Sequence, residues 1–267
     1  MTFLNALFLG LLQGITEFLP ISSSGHLVLA EHFLNISLDE SIMLSFDVIL
    51  HAGTLLALIL YFWKTWEKLI LSFFTYFSNK TNKEDKTLLN ILVIGTIPII
   101  IVAPFTKDIL ENYLRNPLFV ISFMGIVGVI FLLAEKFSPK TKSEKVSFKQ
   151  GVIIGIFQVL ALIPGVSRSG TTIATGMFQG VERHKSAEFS FLLGTIAILA
   201  ATVYVSFDIF SSEAITLPLS QTLVGFFSSF ISSILCVHFL LKFLKKHSLR
   251  VFAFYLIGIS LLGFLFL

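Results

Sequence analysis

Apolar residues run along this chain in long blocks rather than at helical or alternating spacing. A helix that crosses a membrane needs roughly 20 mostly apolar residues. Windows at about 45–63, 87–105, 117–134, 187–206 and 220–241 meet that need, and a sixth, 251–267, runs to the last residue. Two further apolar stretches are interrupted. Residues 3–34 are broken by Pro20 and the run Ser22-Ser23-Ser24-Gly25, and residues 150–181 by Pro164-Gly165 and Ser167-Arg168-Ser169-Gly170. Beyond the first break, residues 26–34 extend only ~14 Å as a helix. That is about half of a hydrocarbon core of roughly 30 Å. Each interrupted stretch therefore predicts a re-entrant hairpin, a half-helix in, a polar loop, and a half-helix back. Irregular backbone at that depth is tolerated only where protein or a water-filled cavity satisfies it. The expected fold class is an all-α polytopic membrane protein, a single integral-membrane domain over residues 1–267.

The two interrupted stretches resemble each other. Gly10-x-x-x-Gly14-x-x-Glu17 aligns with Gly151-x-x-x-Gly155-x-x-Gln158 at an offset of 141, and residues 21–25 (ISSSG) align with 166–170 (VSRSG) at 145. Asp47 and Gly53-Thr54 align with Glu188 and Gly194-Thr195, again at 141. Phe119 and Gly125 align with Phe252 and Gly258 at 133. The order of events is shared too, a broken hairpin and then three spans. This predicts two repeats, about 1–137 and 148–267. Three spans per repeat force the second to enter the membrane from the opposite side. That inverted arrangement places broken helices face to face near the midplane, where the loops 21–26 and 164–172 would meet.

Charge sets the expected orientation. With the first hairpin entering from one side, the loops 64–86, 136–149, 182–186 and 242–250 fall on the other and hold 16 of the 19 Lys and Arg. Lys107 and Arg115 fall on the hairpin's side, and Arg168 lies in the second broken loop. Reading both stretches as straight spans moves 182–186 and 242–250 across and weakens the bias. By the positive-inside rule the lysine-rich side is cytoplasmic, and both termini are outside. The N-terminal stretch lacks the basic start of a signal peptide.

Composition agrees. Of 267 residues, 55% are hydrophobic and only 13% charged, about half the charge of a typical soluble domain. This excludes a disordered chain and a nucleic-acid binder. The single Cys236 excludes an internal disulfide and a cysteine metal site.

Ionisable groups inside a membrane cost several kcal/mol and mark functional sites by default. Glu17, His26, Asp47 and Arg168 stand out. Gln13 shares a helix face with Glu17 one turn away. The first loop offers the hydroxyls of Ser22, Ser23 and Ser24 beside His26. The second offers Ser167, Ser169, Thr171 and Thr172 beside Arg168. Loops that open a helix expose backbone N–H groups suited to anions, and a guanidinium matches phosphate oxygens. The set suits phosphoryl transfer. The competing readings are structural: a Glu17–Arg168 ion pair, a packing or capping His26, an interfacial Asp47, serines bonded only to neighbouring helices, and His51 either in the same cavity or merely packed. His32, His184, His238 and His247 are given no role, and the Gly10/Gly14 pair is expected to pack helices.

At these residues the chain resembles the undecaprenyl-pyrophosphate phosphatase family, the bacterial bacitracin-resistance membrane proteins. The segments are Gln13-Gly-Ile-Thr-Glu17-Phe-Leu-Pro20-Ile-Ser-Ser-Ser-Gly-His26 and Ala161-Leu-Ile-Pro164-Gly-Val-Ser-Arg168-Ser-Gly-Thr-Thr172. The resemblance extends over the whole chain, including residues 188–195, and implies interdigitated inverted repeats. It implies removal of the terminal phosphate of undecaprenyl pyrophosphate, which recycles the lipid carrier for wall polymers, at a site open to the outer face of the cytoplasmic membrane. It carries function onto Gln13, Glu17, Ser23, His26, Ser167, Arg168, Ser169 and Thr172. It also implies a divalent cation, magnesium or calcium, with Glu17 as a ligand.

The expected partners are a polyprenyl pyrophosphate and membrane lipid, with no nucleic acid; a homodimer is left open. Arg168 and the second loop are expected to bind the phosphates. His26 is favoured as nucleophile or acid/base group because imidazole titrates near neutral pH. Ser23 is the rival, and direct attack by water stays open. The competing function is a lipid-phosphate transporter or flippase built on the same midplane site.

Overall fold

The computed structural model describes residues 2–33, 40–77, 82–113, 116–139, 142–211 and 218–267. Arg115 lies outside them, as does the side chain of Lys107. The described residues form eleven α-helices: α1 (Phe3–Thr16), α2 (Ser23–Phe33), α3 (Glu40–Tyr61), α4 (Trp63–Phe74), α5 (Lys83–Tyr113), α6 (Pro117–Phe137), α7 (Phe148–Gln158), α8 (Arg168–Phe178), α9 (Arg183–Ser211), α10 (Leu219–Leu244) and α11 (Arg250–Phe266). The chain is an all-helical, multi-pass membrane protein. Parts of α5, α6, α9 and α10 are each long and apolar enough to cross a bilayer. Residues Ser45–Tyr61 of α3 reach that standard together with α4, after a bend of 84°. The helix α11 is apolar but has 17 residues, about 25 Å of rise.

Both interrupted stretches are paired short helices. α1 and α2 flank a break at 17–22, and α7 and α8 flank a short 3₁₀ turn, Val159–Leu162, and a loop. The two breaks are capped alike. Ser22 Oγ accepts from the Gly25 amide at 3.2 Å, and Ser167 Oγ accepts from the Gly170 amide at 3.1 Å. These are aligned positions of the two loops.

Small residues let the helices approach closely. α1 lies on α10 with Gly10 and Gly14 against Ser228, Ser229 and Ser232. α7 lies on α5, where a methyl on Gly155 would collide with the backbone of Gly95. Both glycine pairs thus pack helices, as expected for Gly10 and Gly14. α3 packs on α9 and α10, and α6 on α11. Phe18, next to Glu17, is fully buried and meets Phe191 of α9 edge-on at 5.4 Å. At one end of the bundle Glu135 accepts from Arg183 at 2.8 Å and from the Leu249 amide at 2.8 Å, joining α6, α9 and the start of α11.

The sequence reading leaves residues 64–86 as a loop; the structure makes α4 of their first half. Leu69 and Ser72 are buried, while Trp63, Ile70, Leu71, Phe73 and Phe74 are exposed. Its lysines obscure the helical period. An amphipathic helix turned sharply from a membrane-crossing one is the geometry of an interfacial segment.

Candidate functional site

Glu17 follows the last turn of α1, held by its amide on the Gln13 carbonyl at 2.9 Å. Its carboxylate is buried and collects three side chains. Arg168 Nη2 donates to Oε1 at 2.9 Å. Ser23 Oγ donates to Oε2 at 2.7 Å, and Gln13 Nε2 donates to Oε2 at 3.1 Å. The chain positions of these groups differ by up to 155 residues, and the two broken loops bring them together. Ser169 Oγ adds a direct tie between the loops, donating to the Leu19 carbonyl at 3.2 Å.

His51 of α3 joins this group. Its Nδ1 lies 2.8 Å from the Asp47 carbonyl, which only accepts, so Nδ1 carries the proton. Nε2 then has the lone pair and accepts from Gln13 Nε2 at 3.3 Å, 3.9 Å from Glu17 Oε2. Glu17, Ser23, Ser24, His51, Ser167 and Arg168 line a cavity of about 220 Å³. Its other wall is apolar, from Ile99, Val166, Ala197 and Ile198 among others. Arg168 Nη1 is buried against Gly194 of α9 without a hydrogen-bond partner. Gly194 leaves the space that the guanidinium occupies.

Ser23 and Arg168 are the first residues of α2 and α8, each of 11 residues. The positive ends of two helix dipoles therefore meet at the cavity with the guanidinium, an arrangement that favours anions. Ser22 precedes α2 with φ of 72°, a left-handed backbone that costs a serine roughly 1–3 kcal/mol. His26 braces it, Nδ1 donating to the Ser22 carbonyl at 2.8 Å.

That bond decides where His26 faces. Its Nε2 is left as an acceptor for the Tyr255 hydroxyl of α11 at 2.8 Å, and the two rings lie nearly parallel. His26 does not line the cavity. Nor do several other residues singled out in the sequence. Gln13 is wholly buried behind Glu17. Ser22 is buried with its hydroxyl 3.3 Å from that of Ser24. Ser169 serves the Leu19 carbonyl, and Thr172 bonds the Arg168 carbonyl at 2.8 Å and the Ser190 hydroxyl at 2.6 Å. Asp47 contributes its carbonyl to His51 and is not part of the lining. Tyr255 carried no signal in the sequence, where it is one aromatic residue in an apolar span.

Among the described residues no group of three or more His, Cys, Asp or Glu is placed to hold a metal. The oxygens on offer in the cavity are those of the Glu17 carboxylate, while Gln13 Oε1 is buried behind it with no hydrogen-bond partner. One carboxylate fits a magnesium-type cation that takes its remaining ligands from phosphate and water.

A helical membrane bundle with a buried carboxylate, a guanidinium and two helix N-termini around a polar cavity defines a membrane protein with a site for an anionic group. The chain belongs to the family described as bacitracin resistance protein BacA, whose sequence model matches residues 6–262. It is similar to the undecaprenyl-diphosphatase of Thermodesulfovibrio yellowstonii, 41% identical over 254 residues covering 94% of this chain and 92% of that one. It is 40% identical over 270 residues to the undecaprenyl-diphosphatase of Methanosphaera stadtmanae, covering 96% and 95% of the two chains. The undecaprenyl-diphosphatase of Rubrobacter xylanophilus is 35% identical over 262 residues, 97% and 96% of the two.

Proposed function

We propose that this protein hydrolyses undecaprenyl pyrophosphate to undecaprenyl phosphate and inorganic phosphate, and so contributes to cell-wall synthesis and bacitracin resistance. The observation that carries the reading is one hydrogen-bonded line through the cavity: Ser23 Oγ to Glu17 Oε2, and Glu17 Oε1 to Arg168. The family and the names of its curated members support it.

The terminal phosphate enters the cavity, where the Arg168 guanidinium and the amides opening α2 and α8 bind its oxygens. Ser23 Oγ attacks phosphorus in line with the leaving undecaprenyl phosphate and passes its proton to Glu17. Water then cleaves the phosphoserine, releasing inorganic phosphate and returning the proton to Ser23. A carboxylate paired with an arginine is a weak base. Phosphoryl transfer tolerates this because its transition state is loose and is stabilised mainly by position and charge. His26 acts on this reading by locking the strained Ser22 turn, and Gln13 and His51 hold Glu17. A divalent cation, when bound, would be held by Glu17 and would neutralise phosphate charge.

The two repeats are inverted in this reading, in one domain over residues 1–267. The exchange of partners supports it: α1 of the first half lies on α10 of the second, and α7 of the second on α5 of the first. The lysine-rich end faces the cytoplasm, and the site opens to the outer face of the cytoplasmic membrane.

The test is rapid quenching of purified protein with pyrophosphate-labelled lipid in detergent. A phosphoserine at residue 23 in the wild type, and its loss together with phosphate release in Ser23→Ala, are expected. Full phosphate release by Ser23→Ala overturns the serine step. No phosphate release by the wild type, with no membrane to cross, overturns the hydrolase reading and favours transport.

A further inference from the structure

A second polar concavity lies at the lysine-rich end, well apart from the Glu17 site. It is a groove of about 480 Å³ between the end of α3, the start of α9 and the end of α10. Lys242, Lys245 and Lys246 rim it, with His184, His238 and Tyr61 inside. No carboxylate lines it. Glu188 comes closest, 4.0 Å from His184 Nε2, and is already engaged by Lys185 at 2.9 Å. Among the described residues none of the three rim lysines has an ion-pair partner.

Another cavity at the same end, of about 380 Å³, shows the contrast. It holds Lys83, Lys145 and Lys185, but also Glu84, Glu144 and Glu188, with pairs at 2.6 and 2.9 Å. There the lysines are neutralised. In the groove they are not.

Cations at a helix C-terminus complement its dipole, and lysines collect at cytoplasmic membrane faces. Those preferences account for Lys242, Lys245 and Lys246 singly. They do not account for His238, which is exposed one turn deeper along a membrane-crossing helix and bonded to the Tyr61 hydroxyl at 3.3 Å. Tyr61 engages Nδ1 alone, so Nε2 at that depth is left for a polar partner outside the protein. The face of α10 is continuous. Ile231, Leu235, His238, Lys242 and Lys246 follow at spacings of three and four, so one side of the helix passes from exposed apolar residues to imidazole to ammonium. That order matches an amphiphile with an anionic head and hydrocarbon tails.

We infer that the groove is a phosphate-group site, with Lys242, Lys246 and His238 binding the phosphate and Leu235 and Ile231 lying along the chains of an anionic membrane lipid. Native mass spectrometry of the purified protein titrated with phosphatidylglycerol or phosphatidylcholine tests it. The wild type prefers phosphatidylglycerol. Lys242→Gln/Lys246→Gln lowers that affinity about thirtyfold, the worth of two lysines at a membrane surface. A variant restricted to His238→Ala, leaving every lysine, also loses the preference. Phosphate release from the pyrophosphate lipid stays at the wild-type rate in both, which shows that they fold. Displacement of the lipid by millimolar inorganic phosphate assigns the site to the phosphate group alone. Resistance to displacement assigns it to the lipid. Equal binding of both lipids by the wild type, or unchanged phosphatidylglycerol binding by the variants, overturns the inference.

Discussion

The Arg168–Glu17 pair is either a buried strut or a working part of the site, and one mutant cycle separates the two. In Arg168→Gln the Glu17 carboxylate loses its counter-ion while its side chain is only 7% exposed. Breaking a buried pair from one side costs about 3–5 kcal/mol. Glu17 keeps its bonds from Ser23 and Gln13, at 2.7 and 3.1 Å, so the lower end applies, about 3 kcal/mol. In the double variant Glu17→Gln/Arg168→Gln both charges are gone, and the loss falls to about 1 kcal/mol, the scale of one neutral hydrogen bond. Stability therefore recovers by about 2 kcal/mol in the double variant, read by equilibrium unfolding in mixed micelles. Turnover does not recover. Losing one preorganised donor to a transition-state oxyanion costs about 10²–10³ in rate, and the double variant adds the loss of the carboxylate that takes the Ser23 proton. The assay is phosphate release from the pyrophosphate lipid in detergent. A double variant that regains turnover along with stability would refute the reasoning, as would Arg168→Gln within about threefold of wild type.

Three further outcomes follow from the geometry. Tyr255→Phe and His26→Ala remove the two ends of one hydrogen bond, so their effects on turnover are non-additive by about 1 kcal/mol; simple additivity sinks the His26–Tyr255 unit. His51→Ala leaves Gln13 Nε2 with one acceptor fewer and lowers kcat/KM about tenfold, while His51→Gln, which keeps an acceptor, stays within about threefold; equal losses in both refute the positioning role. Gly155→Ala presses a methyl onto the Gly95 backbone, and the overpacking of about 2 kcal/mol or more outweighs the gain of ~1 kcal/mol in helix propensity; a melting temperature at or above that of the wild type contradicts the α5–α7 contact.

Much of the fold was legible because the membrane simplifies the code. Where water is absent, apolar length marks a span, and every break must be housed, so the helix ends at 16 and 23 and at 158 and 168 fall where Pro20, Gly165 and the serine runs announce them. The meeting of Glu17, Ser23 and Arg168 was legible because buried ionisable groups need partners. The direction of His26 was not. It depends on the left-handed φ of Ser22, which turns that carbonyl toward Nδ1 and leaves Nε2 for another helix. Nor was Tyr255, and His51 stayed between cavity and packing, since the rotation of one apolar helix against another is set by small-residue contacts that periodicity does not register. The amphipathic α4 was masked by Lys64 and Lys68, which read as loop charges.

The contact of α1 with α10 also governs the order in which the protein can be built. Synthesis delivers the first hairpin long before the serine face at 228–233 that Gly10 and Gly14 require. Until then α1 and α2 hold a polar loop and Glu17 without their seat, even after Arg168 has been made. The N-terminal segment must therefore wait, at the membrane or with an insertion factor, and dock only when the C-terminal third has arrived. Truncation after α9 removes no residue that lines the Glu17 cavity, yet leaves that hairpin with nowhere to close.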